Sequence, residues 1–155
     1  MPRACIGLGS NLGSRREHLE FALRELSMYG TVVARSPLIE TDPVDCPEGG
    51  RFLNACMVLD TALNARRLLA VAIEVEDARG RERSVRNGPR PLDIDLLLID
   101  DLTIESESLT IPHPRMHERR FVLEPLAAIA PGRVHPGLSL TVRQMLGRLD
   151  SRQTG

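Results

Sequence analysis

The sequence predicts an α+β fold, a ferredoxin-like β-α-β-β-α-β sandwich with one antiparallel sheet, helices on one side of it, and an added C-terminal hairpin and helices. Three observations carry this expectation. Residues 4–8, 31–39, 52–63 and 92–99 have the apolar, β-branched or alternating character of strands. Two segments beginning near Ser14 and Ala65 repeat apolar residues at helical spacing, and each lies between two of the strands in the order the sandwich requires. No shift in composition marks a linker, so 1–155 reads as a single domain, and 42% apolar residues suffice for a core at this length.

Ala4 to Leu8 forms a buried first strand, and Gly9-Ser10-Asn11-Leu12-Gly13 the turn that leaves it. Ser14 stands three residues before Glu17 in a capping-box arrangement, and Leu19, Ala22, Leu23 and Leu26 follow on one helix face. Gly7, Gly9 and Gly13 do not make the dinucleotide-binding fingerprint, whose third glycine comes one position earlier. After a break at Tyr29-Gly30, Thr31 to Ile39 forms the second strand. Thr41 to Gly50, with two Pro, two Gly and three acids, is a loop of a length that is often functional. Phe52 to Leu63 alternates, placing Phe52, Asn54, Cys56 and Val58 on one face. The second helix, Ala65 to Arg79, carries Glu76 on its apolar stripe, where a carboxylate needs a partner or a task. Leu92 to Ile99 is the fourth strand, followed by a hairpin-like segment at 101–111 and helices near 120–130 and 141–149.

Asp93 and Asp95 interrupt that fourth strand. Residues two apart in a strand share a face, so the two carboxylates point together while Ile94, Leu96 and Leu98 enter the opposite layer. Neighbouring carboxylates repel and resist burial unless a cation lies between them, and a hard divalent ion with oxygen ligands answers that need. A solvated face on an edge strand would explain the spacing without the ion.

All 20 basic residues are Arg, which excludes a P-loop lysine, a Schiff-base lysine and a Ser-Lys dyad. Five of them, at 79, 81, 83, 86 and 90, fall in the twelve residues 79–90, just ahead of the acidic strand. Guanidinium forks suit bidentate phosphate recognition, so this run reads equally as a polyphosphate apparatus or as a solvated helix end and loop. A net charge of −1 offers no broad surface for nucleic acid, and no apolar run is long enough to span a membrane. Three Cys without CxxC spacing and no signal peptide suit reduced thiols in a cytoplasmic protein. His113 and His117 have a spacing that zinc can use, but Pro114 forbids a simple helical pair and no third ligand lies nearby. His18 and His135 have no motif around them and read as surface residues.

Gly9-Ser10-Asn11-Leu12, Phe52-Leu53-Asn54-Ala55, Gly80-Arg81-x-Arg83, Gly88-Pro89-Arg90-Pro91-Leu92-Asp93-Ile94-Asp95 and Pro112-His113-Pro114 with Arg119-x-Phe121-Val122-Leu123 together resemble the 6-hydroxymethyl-7,8-dihydropterin pyrophosphokinase family of folate biosynthesis. The resemblance covers essentially the whole chain, in order. It implies transfer of pyrophosphate from ATP to the hydroxymethyl group of a reduced pterin, with release of AMP. By matching positions, Asp93 and Asp95 would bind two Mg²⁺ ions, and with Arg81 and Arg90 would form the catalytic group. Arg81, Arg83, Arg90, His113 and Arg119 would contact phosphates, with Glu76 and Thr110 nearer the nucleoside. Phe52, Asn54 and Phe121 would hold the pterin, helped by the backbone of Thr41, Pro43 and Val44. The expected partners are ATP and the pterin, with no nucleic acid and no membrane, and the expected state is a monomer.

The chain departs from the family pattern at three places. Asp45 stands where the family often has Gly, Asn87 where some members carry Trp, and the 83–88 loop is one residue shorter than in some members, with Ser84 where Lys can occur. Two other classes compete with the implied activity: a non-catalytic ferredoxin-like binding module, and another Mg²⁺-dependent phosphoryl or nucleotidyl transferase using the same Asp pair.

Overall fold

β1 (Arg3–Ser10) is buried from Ala4 to Ser10, and a strand with no exposed face must lie inside a sheet. β4 (Phe52–Thr61) pairs with it on one side over Arg3↔Asp60 to Ser10↔Leu53, and β5 (Asp93–Ile99) on the other. With β2 (Gly30–Arg35) outside β4, the order is β2-β4-β1-β5, and β3 (Ile39–Thr41) also pairs with β4. Every pairing in this sheet is antiparallel. The computed structural model describes residues 2–41, 51–80 and 91–154, the side chains of 153 and 154 excepted.

α1 (Arg15–Ser27) and α2 (Ala65–Ala78) cover one face of the sheet. Ala4, Ile6, Leu8, Ala55, Met57, Leu59, Ile94 and Leu96 meet Leu19, Leu26, Leu68 and Ala72 there. The added C-terminal helices, α3 (Arg120–Ile129) and α4 (Val142–Thr154), close the opposite face, so the sandwich has three layers. Their core takes in Cys5, Cys56, Val58, Leu97, Leu98, Leu123, Leu126 and Met145. Two short hairpins complete the chain, β6 (Ile104–Glu105) with β7 (Thr110–Ile111) between β5 and α3, and β8 (Val134–His135) with β9 (Leu140–Thr141) between α3 and α4. Among the described residues no helix is long and apolar enough to cross a membrane.

The structure differs from the sequence expectation in local detail. The single strand expected at 31–39 is split, because Pro37 has no N–H to give to a ladder. Ser36 bridges the gap: its N–H donates to the Cys56 carbonyl and its hydroxyl accepts from the Cys56 N–H, both at 2.9 Å. The capping box at Ser14 does not form, since its ψ of 78° lies far from the extended conformation an N-cap uses, and its side chain makes no capping bond. Asn64 does cap α2, its Oδ1 accepting from the Arg67 N–H at 2.9 Å. A register shift between Cys5 and Ile6 puts a bulge in β5 at Leu97, so Leu97 and Leu98 both enter the second core while Ile99 returns to the first.

Candidate active site

The apolar core beneath α3 and α4 stops at Cys56 and Leu97, and beyond it the same sheet face changes character. Asp93 pairs with Gly9, which pairs on its other side with Asn54; one rung further in, Asp95 pairs with Gly7 and Gly7 with Cys56. The two carboxylates are therefore separated from β4 only by glycines. A Cβ on Gly9 would come 3.1 Å from Asn54 Oδ1 and 3.6 Å from the Phe52 ring, so the bare backbone keeps a trough open between them. Gly-x-Gly inside an otherwise apolar strand is the sequence signal for this floor.

Asn54 is 5% exposed, and its Nδ2 donates to Thr41 Oγ1 at 2.6 Å. That bond orients the amide, leaving Oδ1 toward the Gly9 floor. Phe52 and Phe121 are partly buried at this end of the sheet, Phe52 in β4 and Phe121 in the first turn of α3, which packs on β4. The Arg119 guanidinium lies 5.4 Å from the centroid of the Phe121 ring.

Asp93 and Asp95 are partly exposed, as the alternation of the strand requires with Ile94 and Leu96 buried. Their carboxylates present oxygen donors alone, the set that suits a hard cation such as Mg²⁺ rather than a thiophilic or imidazole-seeking metal. This pair fits the ion that the sequence led us to expect. Among the described residues no group of three or more His, Cys, Asp or Glu is placed to hold a metal.

His113 lies beside this pair. Its N–H donates to the Leu97 carbonyl at 2.9 Å, and its Nδ1 accepts from the Arg115 N–H at 3.2 Å. Burial, then the Arg119 charge, pull its pKa down to about 4 against the opposing effect of Asp93. At neutral pH the ring is uncharged, and with Nδ1 accepting, the proton sits on Nε2 as a donor. The His117 ring meets the His135 ring edge-on at 6.3 Å.

The two histidines expected at the surface are both engaged. His18 Nδ1 accepts from Arg79 Nε at 2.9 Å, and Arg79 also lies 4.6 Å over the Phe21 ring. His135 is 8% exposed, and its Nδ1 accepts from the N–H groups of Gly137 and Leu138 at 3.1 and 3.0 Å. Local sequence gives no sign of such partners. Desolvation is the first cause lowering the pKa of both, as for His113. The unfolded chain therefore takes up these protons below the ordinary value of 6.5 while the folded protein resists them, so stability is complete above that pH and declines as it falls toward 4. We expect Tm to drop across this window, and His113→Asn, which can still accept from the Arg115 amide, to flatten the drop in thermal melts.

Glu76, expected near the nucleoside, is 3% exposed in the last turn of α2, and its Oε2 accepts from the Ile94 N–H at 2.7 Å. Thr110 lies in β7, which packs on β5. Pro43, Val44, Arg81, Arg83 and Arg90 lie outside the described residues, as do the departures at Asp45, Ser84 and Asn87.

The family model described as 7,8-dihydro-6-hydroxymethylpterin-pyrophosphokinase matches residues 5–131. A 2-amino-4-hydroxy-6-hydroxymethyldihydropteridine pyrophosphokinase of Bacillus subtilis is 45% identical over 128 residues, covering 81% of this chain and 77% of that protein. One from Methylorubrum extorquens is 43% identical over 152 residues, covering 97% and 95%. Among solved structures, wild-type HPPK-DHPS of Plasmodium falciparum with pteroate superposes with a TM-score of 0.80 at 16% identity, over 99% of this chain but only 45% of that one, and so speaks to the fold alone. Matched by this model across most of its length and by such relatives along nearly all of it, the chain belongs to the 7,8-dihydro-6-hydroxymethylpterin-pyrophosphokinase family.

Proposed function

We propose that this pyrophosphokinase moves the β,γ-pyrophosphoryl group of ATP to the hydroxymethyl group of 6-hydroxymethyl-7,8-dihydropterin, releasing AMP, in folate biosynthesis. The observation that carries the reading is the rung Asp93-Gly9-Asn54, which sets a carboxylate for a phosphate-bound cation and an amide for a heterocycle edge on either side of a bare backbone.

On this reading Asn54 and the backbone of 41–44 take the donor and acceptor edge of the pterin, and Phe52 and Phe121 stack on its faces, each worth about 1 kcal/mol. Two Mg²⁺ ions held by Asp93 and Asp95 supply charge neutralisation on the triphosphate and a lowered pKa for the attacking hydroxyl. Neutral His113 donates Nε2–H to a phosphate oxygen, and Arg119, Arg81, Arg83 and Arg90 add charge-assisted bonds. Glu76 and Thr110 lie toward the nucleoside. Asp95 accepts the hydroxyl proton as the oxygen bonds to the β-phosphorus, in line with the departing AMP. Most of the acceleration comes from holding these groups in place. The chain acts as a monomer, and the buried thiols of Cys5 and Cys56 accord with the reducing cytoplasm.

An assay of ATP with hydroxymethyl-dihydropterin tests the proposal by its product. AMP is expected in step with pyrophosphorylated pterin. ADP as product would make the chain a phosphoryl transferase, and binding without turnover would make it a regulatory module. Arg81→Ala and Arg83→Ala are expected to lower kcat far more than ATP affinity, as groups that meet the phosphates best in the transition state. Steady-state kinetics beside equilibrium titration of an ATP analogue separates the two effects.

A further inference from the structure

Glu76 combines three features whose conjunction is unusual. It is 3% exposed on the buried face of α2, its Oε2 accepts from a backbone N–H at 2.7 Å, and that N–H belongs to Ile94, the residue between the two carboxylates. β5 ends the order β2-β4-β1-β5, so among the described residues the N–H groups on its outer side have no strand of this sheet to meet. Burying a carboxylate is costly, and a neutral side chain would serve α2 equally well as packing. Among its contacts the side chain brings a short hydrogen bond to one amide of this strand.

We propose that Glu76 is a positioning residue: by holding the Ile94 amide from outside the sheet, it fixes the segment of β5 that carries Asp93 and Asp95 and so sets how the two carboxylates meet a divalent cation. The bond acts on both flanking residues at once. β1 holds β5 from one edge, with Asp93 opposite Gly9 and Asp95 opposite Gly7, two residues that have no side chain. Glu76 holds it from the other, and freeing the Ile94 amide would let this end of β5 turn about its own axis. Groups that orient metal ligands from behind typically change metal affinity by about 10–100-fold when removed.

The inference rests on the reading of Asp93 and Asp95 as cation ligands, and one set of titrations separates the two. The variants are Glu76→Gln, which keeps an acceptor at the same reach, and Glu76→Leu, which keeps the volume and removes it. Mg²⁺ is titrated calorimetrically into each protein with a non-hydrolysable ATP analogue, and exchange of the Ile94 amide is followed in metal-free protein. Glu76→Leu is expected to raise the Mg²⁺ requirement about tenfold and speed Ile94 exchange, whatever the loss of a group near the nucleoside does to analogue affinity at saturating Mg²⁺. Glu76→Gln should rescue most of both changes. A Glu76→Leu protein with lowered Tm but a wild-type Mg²⁺ requirement overturns the proposal. So does loss of analogue affinity in both variants with the Mg²⁺ requirement and Ile94 exchange unchanged, which would make Glu76 a nucleoside contact only. Should Glu76→Leu fail to fold, Glu76→Asp, which withdraws the acceptor by one methylene, is compared with Glu76→Gln by the same criteria. If Asp93→Ala leaves the Mg²⁺ titration unchanged, the cation reading itself fails, whatever Glu76 does.

Discussion

Asp95→Ala is expected to release AMP at least about a thousandfold more slowly than wild type, with Asp93→Ala close behind, because on the proposed function each change removes a ligand of the cations whose charge neutralisation would lower the barrier by several kcal/mol. Both proteins should fold. The side chains are partly exposed, and the strand that carries them is held by the buried Ile94, Leu96, Leu97 and Leu98. Removing one of two neighbouring carboxylates also relieves their repulsion in the absence of cation, so Tm without Mg²⁺ should be unchanged or raised. Melting curves with and without Mg²⁺, beside an AMP-coupled assay, check both halves. A near wild-type rate in Asp93→Ala would remove the two-metal arrangement from consideration.

The second large effect is expected on the acceptor side. Asn54→Ala would leave edge groups of the pterin unpaired in a partly desolvated trough, costing about 1–3 kcal/mol, or roughly fivefold to 150-fold in affinity. Phe52→Ala and Phe121→Ala should weaken the same ligand by losing a stacking face. Binding of an ATP analogue with Mg²⁺ should stay within about twofold in all three, because Asn54 and the Asp pair stand on strands on opposite sides of β1. Calorimetric titration of each ligand decides this. If the Phe variants melt earlier yet bind pterin like wild type, those rings belong to the core and the substrate assignment loses its aromatic walls.

What the sequence revealed, it revealed through short-range periodicity. Asp93 and Asp95 stand out because carboxylates at a spacing of two break an apolar strand, and Phe52 and Asn54 fall on one face by the same alternation. The order of strands and helices follows from where period two gives way to period 3.6. Partners distant in sequence were not legible. Nothing near Glu76 points to an amide 18 residues away, and nothing near His18 points to Arg79, 61 residues on. Thr31 to Ile39 reads as one strand, so neither the break at Ser36 nor the hydroxyl that restores the ladder is visible until Cys56 is opposite it. The state of His113 is equally non-local: its imidazole becomes a neutral donor through burial and Arg119, which a spacing rule cannot supply.

The bulge at Leu97 bears on how this strand can change over time. Before it, residues 93–96 send carboxylates to one side and Ile94 and Leu96 to the other; after it, the parity is reversed, so Leu98 fills the layer that an unbroken alternation would deny it. Substitutions along β5 are local matters of volume and charge. A gain or loss of one residue between Ile94 and Leu98 is not, because it must either turn the carboxylates toward α1 and α2 or move Leu98 and Ile99 out of their layers. The length of this short stretch is thus under tighter constraint than the identity of most residues in it, and insertions or deletions that persist in relatives of this chain should cluster in the connections rather than here.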